Sequence, residues 1–260
     1  MSPEDVFPDL GYDPTFDVGI ECPPPLTEAY NPPSAKVSAE YLPPVGDQGE
    51  IPSCCAWATT YGLATFTAAK RLNSPPTRKH LIASPAYIYR QVCLEEPGPT
   101  LSPCKGTSGH YYYKILAGQG TPSLHAAPYF DTCPELVQYY KGKQIPPDSR
   151  FVLRNAKGVS TKDALRMKQL LGSNCALAYA TSLYTDWWPY RGSPVPYVGN
   201  GKIAKGVGHC MLIIGYDDGI GGFLLQNSQG KKWGANGYVW MAYETFGKLA
   251  QPTAAYYPED

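Results

Sequence analysis

The stretch VGDQGEIPSCCAWATTYGLA, Val45 to Ala64, decides how the rest of the chain is read. A turn-rich run ends at Pro52 and Ser53, and from Cys54 to Leu72 only Gly62 interrupts a helical pattern. That pattern predicts a helix with Ser53 as its N-cap and an apolar surface of Ala56, Leu63, Ala64 and Phe66. Lys70 and Arg71 fall at its C-terminal end, where cations suit the helix dipole. Two cysteines sit side by side at the N-terminal end. A thiolate there feels the positive end of the macrodipole, and its pKa falls. Position alone does not choose between Cys54 and Cys55, and cysteine also packs in cores as an inert residue.

The surrounding chain sets the bounds. Its 260 residues can bury a large core and suit one domain or two lobes folded together. Lys+Arg and Asp+Glu number 22 each, and no basic stripe is visible, so a nucleic-acid partner is not expected. No apolar run approaches the roughly 18–20 residues of a membrane span, so no membrane association is expected either. The residues after Met1, SPEDVFPDLGYDPTF, have neither the basic start nor the apolar centre of a signal peptide. Eight cysteines (Cys22, Cys54, Cys55, Cys93, Cys104, Cys133, Cys175 and Cys210) form no CxxC pair and no zinc-like spacing. No structural metal is expected from them, whereas disulfides would imply an oxidising compartment.

Residues 1–34 stand apart, because ECPPPLTEAYNPPSA is too rich in proline for a helix and is expected to run extended. Residues 35–260 read as the folded domain. SPAYIYRQVC, GTSGHYYYKILAGQG and STKDALRMKQLLGS predict further helices. After Cys175 the character changes to short apolar runs, CALAYATSLY, HCMLIIGYDD, GGFLLQNSQ and GYVWMAYE, with DDGIGG as a hairpin turn. Helices first and strands second is the pattern of an α+β chain with two lobes. Cys175 and Cys210 lie in the apolar strand patterns and read as buried thiols.

A nucleophilic thiol needs a base, and the chain has four histidines, His80, His110, His125 and His209. His209 opens an apolar strand, while Asn227 ends the next one. A hairpin brings neighbouring strand ends together, so Asn227 is placed to bond the ring of His209 and hold one tautomer.

With these residues in order, the chain resembles the papain-like cysteine peptidases, and their bacterial members in flavour. DQGEIPSCCAWA is similar to the family's nucleophile block, in which a Gln precedes the Cys by six residues. GHCMLIIGYDD resembles its histidine block, and LLQNSQGKKWGANGYVWM its Asn-Ser-Trp-Gly block. Weaker matches at KVSAEYLPPVGDQG, SPAYIYRQ, GTPSLHAAPYFD and CALAYATSLY extend the resemblance from about Lys36 to Glu244. The resemblance implies a two-lobed fold, a helical lobe and an antiparallel β lobe with a cleft between them. It makes Cys54 the nucleophile, His209 the base and acid, Asn227 the residue that orients the ring, and Gln48 an oxyanion-hole donor. No cofactor is implied, the substrate would be a peptide or protein, and a monomer outside the cytoplasm, secreted or periplasmic, is expected.

Departures from the family pattern carry their own expectations. Cys55 stands where Trp is usual and is expected to pack inertly, although oxidation with Cys54 is an alternative. Gln229 stands where a Trp shields the Asn–His bond, so a wetter pair is expected. The resemblance implies a Cys93–Cys133 disulfide and leaves Cys104 free or paired with Cys22. Gly106 or Gly109 would pair with an extended substrate through its backbone. Trp187 and Trp188 would either line the cleft or cap the sheet. Residues 1–34 would either block the cleft as a short prosegment or strap another surface. A catalytically dead binding protein and an acyltransferase or transpeptidase on the same scaffold are the alternatives to a peptidase.

Overall fold

The computed structural model describes residues 32–95 and 103–258. Its centre is the helical run foreseen from Cys54, in three consecutive parts: α1 (Cys54–Ala56), a π-helical stretch (Trp57–Ala64) and α2 (Thr65–Leu72). Nearly every side chain from Cys54 to Ala69 is buried. A helix enclosed on all sides has no need of a polar stripe, which is why small residues and threonines fill it. Thr59 Oγ1 donates to the Cys55 carbonyl at 2.7 Å, a side-chain bond that competes with the helical ladder where it widens. Asn73, at φ 47°, closes α2 in a left-handed cap.

Around this run pack α3 (Pro85–Glu95), α4 (Gly109–Gly118) and α5 (Cys133–Tyr140), and further along the chain lie α6 (Ala164–Gly172) and α7 (Tyr243–Leu249). Strands β1 (Ser34–Lys36), β2 (Ala156–Val159), β3 (Leu177–Tyr184), β4 (Ile203–Asp217), β5 (Gly222–Gln226), β6 (Tyr238–Ala242) and β7 (Ala250–Pro258) form one antiparallel sheet. The order is β2-β7-β3-β4-β5-β6, with β1 added to the far end of β4. Gly215 is required there, since a Cβ would stand 2.8 Å from the Ala35 carbonyl oxygen. The α+β organisation expected from the sequence is the one observed. Sequence patterning missed α5, α7, β1, β2 and β7.

The disulfide differs from the expected one. Cys133 pairs with Cys104, not Cys93. Tyr89 donates to the Lys105 carbonyl at 2.9 Å and Arg90 to that of Pro103, which lays residues 103–105 along α3. Cys104 is thereby brought to 6.1 Å, Cα to Cα, from Cys133, inside the range a bridge can span. Cys93 remains a thiol. Burial raises its pKa, against hydrogen bonds from Tyr89 and the Lys105 backbone. Of the two expected buried thiols, Cys210 is buried and Cys175 half-buried. Cys22 and the segment through residue 31 lie outside the described residues, and so does the prosegment expectation.

Non-reducing peptide mapping should therefore recover a Cys104–Cys133 linked peptide, with Cys93 alkylated. Cys104→Ser should lower unfolding free energy by about 2–4 kcal/mol in chemical denaturation, the usual effect of losing a bridge of this loop size.

Candidate active site

The candidate nucleophile and base come from the two sides of the contact between the helices and the sheet. Cys54 opens α1, while His209 lies on β4 opposite Thr181 of β3. Because Leu212 of β4 pairs with Gln226 of β5, the residue after Gln226 falls beside the His209 ring. His209 Nε2 and Asn227 Oδ1 are 2.7 Å apart.

The remaining partners of that amide assign the proton. Asn227 Nδ2 donates to Gln229 Oε1 at 3.0 Å, and the Ser228 N–H donates to Asn227 Oδ1 at 2.8 Å. Oδ1 is thus the acceptor toward the ring, and Nε2 carries the hydrogen. In the neutral ring the lone pair then resides on Nδ1, which is buried and makes no aligned hydrogen bond, and proton transfer from Cys54 to it would give a thiolate–imidazolium pair. The ring is nonetheless close enough to the Cys54 thiol to favour its ionised form.

The two adjacent cysteines are chemically distinct. Burial pushes Cys54 up, but hydrogen bonds from Cys210, Cys55 and His209 and the charge of the imidazole together hold it well below an ordinary thiol. Burial, reinforced by Cys210 and Cys54, pushes Cys55 well above that range. The Cys55 thiol donates to the Thr107 carbonyl at 3.3 Å, tying the loop before α4 to the central helix. Cys54 is the ionisable member of the pair, and Cys55 packs as expected.

Gln48 is held by its neighbours. Its Oε1 accepts from Ser228 Oγ at 2.7 Å, its Nε2 donates to the Ile51 carbonyl at 3.1 Å, and its N–H donates to the Ser228 carbonyl at 2.8 Å. Gly49 follows at φ +58°, where a Cβ would lie 2.9 Å from the Asp131 carbonyl oxygen. Tyr129, which the sequence reading did not single out, donates to the Gln48 carbonyl at 2.8 Å and shares a 2.7 Å bond with Ser53 Oγ. One half-buried phenol therefore links Gln48 to the residue preceding Cys54. It also explains why Ser53 makes no side-chain cap, since its hydroxyl is turned to Tyr129. Tyr129 lies in GTPSLHAAPYFD, a weakly matching stretch whose role only the fold discloses.

A family model, "Papain family cysteine protease", matches residues 32–258. The chain belongs to the papain family. Cathepsin B-like CP3 of Giardia intestinalis is 25% identical over 208 residues, covering 76% of this chain and 63% of that relative, so the chain spans less than two thirds of its length. Among solved structures, Xylellain, a cysteine protease from Xylella fastidiosa, superposes with a TM-score of 0.73 at 24% identity, covering 96% of each chain. Digestive procathepsin L 3 of the Tenebrio molitor larval midgut superposes at 0.70 with 18% identity, covering 97% of this chain and 76% of that one.

Against the papain-family pattern, the loss of Trp at Gln229 does not leave a wet pair. His209 is fully buried and Asn227 nearly so. The cover comes from Trp187, only 1% exposed, whose ring meets the His209 ring edge-on with centroids 6.4 Å apart. Trp187 is itself held by Trp233, with centroids at 4.7 Å, and its carbonyl accepts from Trp233 Nε1 at 3.1 Å. It therefore shields the site from within and does not present a face to the cleft, whereas Trp188 is 41% exposed. Gly106 is half-buried in the loop before α4. Gly109 lines a tight apolar depression with Ala58, Tyr113, Ala178, Cys210 and Tyr256, with about 10 Å³ of free space. Two of those rings, Tyr113 and Tyr256, stack at 4.1 Å.

The lowered pKa of Cys54 makes a kinetic prediction. Alkylation follows the thiolate fraction, so the rate at Cys54 should keep its plateau as pH falls below the ordinary thiol value of about 8.5. His209→Ala should move the midpoint upward. A wild-type midpoint near the ordinary value would contradict the ion-pair assignment.

Proposed function

We propose that this protein is a thiol endopeptidase that hydrolyses peptide bonds in peptide or protein substrates. The observation that carries the reading is the directed chain from Gln229 through Asn227 to His209, with a low-pKa thiol at Cys54 beside the ring. The Cys54 thiol gives its proton to His209 Nδ1, the resulting thiolate attacks the substrate carbonyl, and the electron pair of the C=O bond moves to oxygen. The oxyanion is stabilised by the Gln48 side-chain amide and the backbone N–H of Cys54. His209, protonated at Nδ1, gives that proton to the leaving amine, and the C–N bond breaks. Water, deprotonated by His209, then hydrolyses the thioester and restores the thiol.

The apolar lining beside Gly109 supports an apolar substrate side chain, with the backbone of Gly106 or Gly109 pairing with the extended peptide. Retention of a low-pKa Cys54 beside a tautomer-fixed His209 favours catalysis over a purely binding role. No helix among the described residues is long and apolar enough to cross a membrane, and the Cys104–Cys133 bridge supports an oxidising compartment, secreted or periplasmic. Cys54 and His209 are both fully buried, so a substrate reaches the thiol only after something moves. We assign residues 1–34 the role of a short prosegment on the basis of their composition.

Mass spectrometry after treatment with an epoxide inactivator tests these assignments. The adduct is expected on Cys54, faster in a chain beginning at Pro32 than in the full chain. Equal rates would remove the prosegment, and no adduct in either folded form would remove the peptidase. Gln48→Ala should lower kcat by about 100- to 1,000-fold while Cys54 still alkylates. An acyl transferase would instead yield amide products when amine nucleophiles are added.

A further inference from the structure

Beyond the dyad, a third thiol enters the site. The Sγ atoms of Cys54, Cys55 and Cys210 lie within 4.8 Å of one another, and all three side chains are buried. Two come from the N-terminus of α1 and one from β4, immediately after His209. The peptidase mechanism uses only one of them.

Two chemistries suit neighbouring thiols, and geometry discriminates between them. A disulfide needs sulfurs about 2.05 Å apart. The Cys54–Cys55 version would also close a ring between adjacent helical residues, and Cys55 is already bonded to Thr107. Zinc bonded to sulfur at about 2.3 Å in a tetrahedron holds its sulfurs about 3.8 Å apart. Sulfurs already within 4.8 Å of one another need contract by no more than about 1 Å to reach that arrangement, whereas no disulfide joins any of the three.

Among the described residues the mutually close set comprises the three sulfurs alone; the His209 ring lies against the Cys54 thiol and outside that set. Three thiolates are soft donors, suited to zinc and unsuited to magnesium or calcium.

We propose that Cys54, Cys55 and Cys210 form a three-thiolate site for Zn²⁺, and that the bound ion silences the peptidase. The inference rests on the peptidase reading only for its regulatory consequence. The Cys54 lone pair that would bind the ion is the one that attacks the substrate carbonyl, so metal capture and catalysis exclude one another. Cys55 and Cys210 then have a shared role: they give the nucleophile two further thiol donors for a metal.

Full-length reduced protein, stripped of metal by chelation, is titrated with Co²⁺ and then Zn²⁺. The expected result is one Co²⁺ per chain, with thiolate-to-cobalt charge transfer and intense tetrahedral bands that Zn²⁺ abolishes. Zn²⁺ should also slow alkylation of Cys54 by iodoacetamide, and chelation should restore it. Cys210→Ser and Cys55→Ala should each weaken Zn²⁺ binding by more than the roughly 10- to 100-fold that losing a supporting group costs, with circular dichroism reporting their folding. Unchanged affinity in both variants would put the ion on Cys54 and His209 alone and overturn the site. Absence of the cobalt spectrum in a metal-free protein that hydrolyses peptides would overturn the site and keep the peptidase. A three-thiolate spectrum in a protein that hydrolyses nothing when metal-free would keep the site and remove the peptidase. Should either variant fail to fold, X-ray absorption of the wild-type zinc form counts the ligands directly, and fewer than three sulfurs overturns the proposal.

Discussion

Everything at the centre of this molecule depends on a short antiparallel pairing between Gly46–Gln48 and Ser228–Gly230. The Gln48 N–H donates to the Ser228 carbonyl at 2.8 Å and the Gly230 N–H to the Gly46 carbonyl at 3.0 Å, with Asp47 opposite Gln229. This ladder registers the loop before the central helix on the segment that follows β5. Gln48 and Cys54 lie on one side of it, Asn227 on the other. A slip of one residue would reverse the side chains and part Gln48 from Ser228. Gly230, at φ +70°, makes the close approach feasible, because a Cβ there would stand 2.5 Å from Asp47 Oδ2.

Around that pairing lies a largely buried polar network, with Tyr129 and Gln229 half-buried at its margin, in which each member fixes another. Ser228 bonds Gln48, Gln48 bonds Ile51, Tyr129 joins Gln48 to Ser53, and Gln229 turns the Asn227 amide toward His209. Leaving one buried polar group unpaired costs about 1–3 kcal/mol, so a single correct arrangement is strongly favoured over its alternatives. The consequence for chemistry is orientation. The imidazole has one tautomer because the amide has one flip, and the amide has one flip because Gln229 accepts from it.

The elements that position the site were legible in the sequence because they are long or strongly patterned. The run from Cys54, the strand after His209 and the hairpin to Asn227 all carry clear periodicity or turn chemistry. The missed elements are short or mixed. Strand β7 contains Pro252, which argues against a strand unless it lies at a permissive position, and α5 is only eight residues with a proline near its start. The disulfide was misassigned because its partner depends on how Tyr89 and Arg90 lay the 103–105 loop on α3, a tertiary detail with no linear signature. Trp187 was ambiguous for the same reason. Its shielding role replaces a tryptophan missing at Gln229, and nothing in TDWWPYRGSPVPY tells which of two adjacent indoles turns inward.

The three thiols illustrate why linear spacing is a poor guide to chemistry at a contact between lobes. Zinc motifs are recognisable when their ligands share a loop or a knuckle, which keeps their spacing short and regular. Here 155 positions separate Cys55 from Cys210, and the two meet because β4 packs against the start of the central helix. That packing is also what sets His209 beside Cys54. Any fold that builds a thiolate–imidazole pair across such a contact sets the residues flanking the pair near one another too. When those flanking residues are Cys55 and Cys210, the nucleophile acquires thiol neighbours that stabilise its charge. The same proximity makes it a stronger ligand set for a thiophilic ion, so the force that activates Cys54 and the one that could silence it share an origin.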